Sequence, residues 1–387
     1  MIATATFFIL AILVASIAIT FLVVIHEFGH FLTAKFFKVR VEEFGIGFPP
    51  RVWGRKIGET LYSINLLPAG GFVKLFGEDE DENDPASFSS KPSWQRAIII
   101  VAGVFVNLNF AFLLFGLILA FSGWKTEIQM LDGAQNKFPF GHQENRVLVT
   151  FVEKDSPAAK AGIVAGDKIL FINETKIEDP KEMRVQISTS EGVDLAIRAE
   201  NEQTKQEKTL DVIPEYNAEA KRWQIGVNFT EIAELSYPSL GEKILVGPLH
   251  SANMVQYQFT VVKSLFGQSV REGNVEPLRE NVSGIVGIVG IFALLIKTLG
   301  LNSIVILLTI MALLSLLLAI INVLPIPAVD GGRLFFVLFE LVTRRKINAS
   351  VERWIHTIGF GVLLVLFLLV TTNDFLNLPK WVGVFFK

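Results

Sequence analysis

Three ionisable side chains, His26, Glu27 and His30, fall within five residues at the end of an uncharged apolar run, in the order His-Glu-Phe-Gly-His. On a helix, positions four apart share a face, so both imidazoles can reach one zinc ion. Glu27, on the adjoining position, is left to act as a general base without being a ligand. Inside an apolar membrane helix, each ionisable group costs about 2.5–3.5 kcal/mol on insertion scales unless it is compensated. Three such groups need a partner, and a bound cation is one. The blander reading is a cluster that merely marks the membrane edge.

A zinc site that hydrolyses a bond needs a third protein ligand and an open position. His142, His250 and His356 have no partner at ligand spacing, and each reads as a satisfied surface histidine. Asp330 is the better candidate. From Thr298 onward it is the first charged residue, and it sits in Asn-Val-Leu-Pro-Ile-Pro-Ala-Val-Asp-Gly-Gly, residues 322–332. Two prolines and two glycines around a lone carboxylate imply a broken helix end that presents it, with an ordinary loop aspartate as the alternative.

These groups must be positioned by elements that suit an apolar chain. Of 387 residues, 51% are hydrophobic and only 19% charged, against about a quarter charged in soluble domains. Four runs are long and apolar enough to span a bilayer: Ile2–Ile25, Ala97–Trp124, Ser303–Leu324 and Ile355–Thr372. The first lacks a basic n-region and a small-residue cleavage site, so it reads as a retained helix and not as a signal peptide. The absence of cysteine excludes disulfides and thiolate ligands. No basic domain points to nucleic acid.

Lys and Arg cluster at residues 35–74, between the first and second runs, and at 333–353, between the third and fourth. Both loops are therefore expected in the cytoplasm, with both termini and the long middle segment outside it, in a multi-pass protein of the cell's inner (plasma) membrane. The fold class implied is a polytopic α-helical membrane protein of about four transmembrane helices, with a membrane-associated β-hairpin loop and one inserted α+β domain. Its expected segments are a first helix over 1–35, a re-entrant β loop over 36–96 and a second helix over 97–124. A compact domain over 146–229 and an interfacial segment over 230–300 follow. A third helix over 301–332 and a fourth over 354–373 complete the chain. In the middle domain, Val147–Val152 and Lys168–Ile172 read as strands, and Ser156–Ala161 as a short Ser-capped helix. In the 36–96 loop, three Gly- and Pro-punctuated apolar runs read as strands that dip toward the membrane. One of them, with Tyr62, Ser63, Ile64 and Asn65, can offer backbone partners to an unwound substrate. The acids of Glu78–Asp84 read as a solvated loop, and Ser283–Ile296 as a re-entrant or interfacial piece.

HEFGH in the first run and NVLPIPAVDGG after the third together resemble the site-2 proteases, specifically the bacterial regulator-of-sigma-E protease group. FGIGFPP, LLPAGGFVKLFGE and AGVFVN, residues 102–107, fall in that family's order, and SPAAKAGIVAGDKILFIN, Ser156–Asn173, looks like its PDZ signature. The resemblance implies a Zn2+-dependent endopeptidase that cleaves membrane-anchored proteins, such as an anti-sigma factor already trimmed by an upstream site-1-type protease. It matches His26, His30 and Asp330 to the family's zinc ligands, Glu27 to its catalytic base and Asn322 to a substrate-holding residue. Pro49, Val104 and Ile285 depart from the family's usual Gly, Pro and Pro, without removing a ligand. Two rivals are a metal-binding transporter, which needs neither Glu27 nor peptide-binding strands, and an inactive scaffold recruiting partners through its PDZ domain.

Overall fold

The computed structural model describes residues 2–78, 83–131, 136–201, 204–273, 301–345 and 348–385. The chain divides into two units, Met1–Ile118 with Val275–Lys387, and Leu119–Asn274. The apolar stretch Ser283–Ile296, with Ile285, lies outside the described residues, as does the middle of the acidic run 78–84.

The first unit opens with helix α1 (Ile2–Phe36), whose last turn carries Lys35 against the negative end of the helix dipole. Lys38, with φ at 59°, then turns the chain into two long strands, β1 (Val41–Ile57) and β2 (Thr60–Leu75). Their register shifts fold the pair into four segments. Residues 41–46 pair antiparallel with 71–75 (Phe44↔Val73, Gly45↔Phe72) and also lie beside 61–64 (Phe44↔Tyr62, Gly45↔Ser63). In the second pairing both residue numbers rise together, so it runs parallel. Segment 60–65 pairs on its other side with 51–57 (Gly54↔Ser63, Arg55↔Tyr62). The resulting order is 71–75, 41–46, 60–65, 51–57. Ile46, Phe48, Val52, Trp53, Ile57, Ile64, Leu66 and Leu67 leave large apolar side chains exposed on this sheet.

Helix α2 (Ser93–Phe121) starts directly after Pro92, where the chain cannot be helical before the proline. It crosses α1 at very close range. A Cβ on Gly29 would stand 2.5 Å from the Ala102 carbonyl oxygen, so the crossing is possible only without a side chain there.

The second unit is mixed α and β. Its strands are β3 (Lys125–Gln129), β4 (His142–Val152), β5 (Asp167–Ile172), β6 (Thr175–Lys176), β7 (Leu195–Asn201), β8 (Glu207–Val212), β9 (Glu215–Asn217), β10 (Arg222–Gln224) and β11 (Val227–Ser236). The main sheet has the order β3-β11-β4-β5-β7-β8, with β6 on β5 and β9 paired separately with β10. Helices α3 (Pro157–Ala161) and α4 (Pro180–Ser188) close over a core of Val147, Val149, Ile169, Ile172, Met183 and Ile197. Ser156 caps α3, its hydroxyl accepting the Ala159 N–H. Helices α5 (Leu240–Ile244) and α6 (Val246–Glu272) end the unit, which is thus wider than the expected 146–229.

The first unit resumes with α7 (Leu301–Val323), α8 (Asp330–Thr343) and α9 (Ala349–Phe385). The expected 301–332 segment is therefore two helices: Pro325 and Pro327 break it, and Ala328 sits at φ 78°. Among the described residues, three helical spans are long and apolar enough to cross a membrane: Ile9–Phe36, Ser93–Phe121 and Ile304–Val323. The fourth expected run is helical within α9.

Candidate active site

The close crossing of α1 and α2 leaves a small chamber on the inner face of α1. His26 and His30, one turn apart and both buried, point into it. Their Nε2 atoms lie 3.1 Å apart. Asp330 reaches them from the first turn of α8, with Oδ2 at 2.8 Å from His26 Nε2 and 3.2 Å from His30 Nε2. Residues 304 and 300 positions away in sequence thus deliver three donor atoms to one point.

The loop that carries Asp330 is held by its own backbone. A Cβ on Gly331 would collide with the Leu324 carbonyl oxygen at 2.1 Å, and one on Gly332 with that of Ile326 at 2.5 Å. Only glycine lets the start of α8 pack flat against residues 324–326. His356 of α9 accepts the Ala328 N–H through Nδ1 at 2.9 Å, one further tie on the loop. Farther along α8, Glu340 pairs with Arg96 of α2, and Arg333 pairs with Glu78. A cavity of about 420 Å³ opens beside Asp330, and charged and polar groups of Glu78, Arg333, Glu352 and His356 form part of its lining.

Three observations test whether this set suits a metal ion. His30 Nδ1 is 2.8 Å from the Ile99 carbonyl, which can only accept; that fixes the proton on Nδ1 and turns the Nε2 lone pair inward. A Cβ on Gly103 would stand 2.5 Å from His30 Nε2 and 2.7 Å from His26 Nε2, so the glycine keeps open the space where an ion would sit. Two imidazoles and one carboxylate are a donor set proper to zinc, with a fourth position left free. The residues fit the ion.

Glu27, next to His26 on α1, is not one of the three donors. Its Oε2 accepts the Val73 N–H at 3.0 Å, so the carboxylate lies between the histidines' helix and sheet segment 71–75. Asn322 is half-buried at the end of α7, on the turn leading to Asp330.

The run Tyr62–Asn65 is placed otherwise than the sequence suggests. It is paired on both sides, so it has no open edge to offer another strand. Ser63 and Asn65 are buried and serve the sheet itself: Ser63 Oγ donates to Glu43 at 2.6 Å, and Asn65 Nδ2 to the Gly47 carbonyl at 3.1 Å. Tyr62 packs edge-on against Phe31, and Ile64 is exposed. His250 also departs from its expected surface position. It is buried on α6 with Nδ1 at 3.0 Å from the Tyr237 hydroxyl, and burial pulls its pKa down to about 4, so it stays neutral as a structural group.

Asn107 and Gly103 entered the sequence comparison only inside the AGVFVN stretch, residues 102–107, and neither was given a role there. Asn107 is fully buried, with Nδ2 at 3.3 Å from His26 Nδ1. A polar residue inside an apolar membrane helix was the available signal.

Comparison with known proteins agrees with this geometry. The family model described as peptidase family M50 matches residues 14–366. The chain belongs to peptidase family M50. This M50 peptidase is 34% identical over 365 residues to a protein of Clostridium perfringens, covering 94% of this chain and 98% of that one. It is 31% identical over 385 residues to one of Helicobacter pylori, covering 95% and 99%. Both are named as candidate zinc metalloproteases. A solved PDZ domain of an SdrC-like protein from Listeria monocytogenes aligns with 24% of the chain and 93% of its own, at 21% identity and a TM-score of 0.20, too low to carry an argument about fold. Family membership makes the chain a zinc metalloprotease of the site-2 type and makes Zn2+ its cofactor, which answers the scaffold and transporter alternatives.

Proposed function

We propose that this M50 peptidase cleaves membrane-anchored proteins within or beside their transmembrane segment, with His26, His30 and Asp330 as the zinc ligands and Glu27 as the general base. The observation that carries this reading is the convergence of three donor atoms at one point, two from His26 and His30 on a helix apolar enough to span a bilayer and the third from Asp330 at the start of α8. Zinc held there supplies Lewis acidity toward water and the scissile carbonyl. Glu27 takes a proton from the attacking water as its oxygen bonds to the carbonyl carbon, and returns it to the amide nitrogen as the C–N bond breaks. The cavity beside Asp330, lined by Glu78, Arg333, Glu352 and His356 among others, is the assigned approach for water to a site otherwise surrounded by apolar helices.

A helical substrate hides its carbonyls in internal hydrogen bonds and must unwind before attack. Segment 71–75 has a strand neighbour on one side only among the described pairings, and it lies against Glu27. It is the better place for an unwound substrate to add as a further strand, in place of Tyr62–Asn65. Asn322, two residues from the helix break that leads to Asp330, is assigned to holding that substrate. The apolar side chains exposed on the same sheet suit contact with lipid.

The rest of the reading follows the charge pattern and the domain order. With a fourth span taken within α9, the Lys and Arg pattern favours both basic loops in the cytoplasm of an inner-membrane protein and residues 146–229, read as a PDZ domain, outside it. Substrates of the anti-sigma-factor kind, shortened first by a site-1-type protease, suit a site reached from within the bilayer. Because the chain has no cysteine, single-cysteine labelling tests the topology cleanly. An impermeant thiol reagent on intact cells is expected to label Lys205→Cys and spare Arg345→Cys; the opposite pattern overturns the orientation. The cleavage reading is tested with a single-span reporter and mass spectrometry of the products. Cuts within or at the edge of the span are expected, whereas cuts only in a distant soluble part contradict an intramembrane protease.

A further inference from the structure

Asn107 has no place in the ligand set, yet it is completely buried at the metal chamber. Its carboxamide faces His26 Nδ1 through Nδ2, at 3.3 Å, and its Oδ1 is buried without a hydrogen-bond partner. An orphaned buried acceptor costs about 1–3 kcal/mol, and both ends of the amide fill nearly the same volume. If His26 binds through Nε2, its remaining ring proton sits on Nδ1, and two N–H groups then face one another. Turning the carboxamide by 180° removes both faults: Oδ1 accepts the Nδ1–H, and the orphan disappears.

Building on the proposed ligand assignment, we infer that Asn107 is a positioning residue for the metal: its Oδ1 accepts the His26 Nδ1–H and holds the imidazole in the tautomer that offers Nε2 to zinc. His26 then matches His30, whose Nδ1 is fixed by the Ile99 carbonyl. The two histidines are locked by two groups of the same helix, α2, eight residues apart and flanking Gly103. Asn107 is itself anchored, because the Ser315 hydroxyl of α7 donates to its main-chain carbonyl at 2.8 Å, and both residues are fully buried. Such outer partners of a ligating histidine fix ring orientation and raise ligand basicity. The chemistry required of position 107 is an acceptor of fixed reach, so a carboxylate serves and an alkyl group does not.

The test uses the full chain in detergent or nanodiscs, titrated with Zn2+ against a chromophoric chelator and, separately, loaded with Co2+ for its visible absorption. Asn107→Leu keeps the volume and removes the acceptor; zinc affinity is expected to fall by about 10–100-fold, with altered cobalt bands. Asn107→Asp restores the acceptor and is expected to bind zinc at least as tightly as the parent, with parent-like bands. Melting of the zinc-free protein is expected to be no lower for the leucine chain, since an orphaned polar group has been replaced by an apolar one. If the leucine chain does not fold, Asn107→Ala takes its place, with the same loss expected. Parent affinity and parent cobalt bands without the acceptor overturn the inference. Equal weakening by Leu and Asp, together with lower zinc-free melting in both, also overturns it, because it indicates packing alone. His26→Ala separates the two claims: zinc affinity unchanged in that variant overturns the ligand assignment itself.

Discussion

Glu27→Gln is expected to retain zinc at the parent level and to lose cleavage of a tethered substrate by about 10²–10⁴-fold, the usual contribution of a positioned acid–base group. The amide is almost the same shape as the carboxylate and still presents an oxygen to the Val73 N–H, which Glu27 accepts at 3.0 Å. What it lacks is the capacity to take a proton from water. Zinc content and cleavage, measured on one preparation, separate this loss from a structural one. Near-parent cleavage by the glutamine enzyme removes Glu27 from the role of base.

Gly103→Ala is expected to have an effect as large by another route. In an ordinary helix, this change adds stability of about 1 kcal/mol. Here the new methyl group would stand 2.5 Å from His30 Nε2 and 2.7 Å from His26 Nε2, inside the space an ion requires. The imidazoles must move aside, and a displacement near 1 Å at a reacting centre costs about 10²-fold. Zinc affinity and cleavage should fall together by that order, while the helical circular dichroism stays at the parent level. An alanine enzyme with parent zinc affinity places the ion elsewhere.

The part of the site most legible in the sequence is the part set by helical period. The spacing of four between His26 and His30 fixes their common face before any tertiary contact is known. Asp330 was legible for a different reason. A lone carboxylate after a long uncharged run, between prolines and glycines, has few roles other than presentation by a broken helix. Gly331 and Gly332 then supply the packing against residues 324–326 that such a break requires.

Less visible were features that depend on where the chain returns. The parallel pairing of 43–46 with 61–64 arises from register shifts within β1 and β2, and alternation along a strand does not encode them. For that reason Tyr62–Asn65 looked like an open strand although it is interior, while Gly71–Leu75, punctuated by glycine, holds the edge beside Glu27. The burial of His250 depends on α6 folding over Tyr237. Asn107 was in plain sight, but an uncharged side chain does not interrupt a hydropathy scan, and only its approach to His26 distinguishes it from Asn109, whose Nδ2 donates to the Phe105 carbonyl of its own helix.

The most direct test of the account is the zinc content of purified protein, by elemental analysis, for the parent and for His26→Ala, His30→Ala and Asp330→Ala separately. The donor atoms of all three residues lie within 4.8 Å of one another, so one ion can be shared by all three. The account predicts equimolar zinc in the parent and its loss in each of the three variants, with cleavage lost in parallel. Equimolar zinc retained in any one of them contradicts the assignment of that residue, and zinc retained in all three contradicts the account.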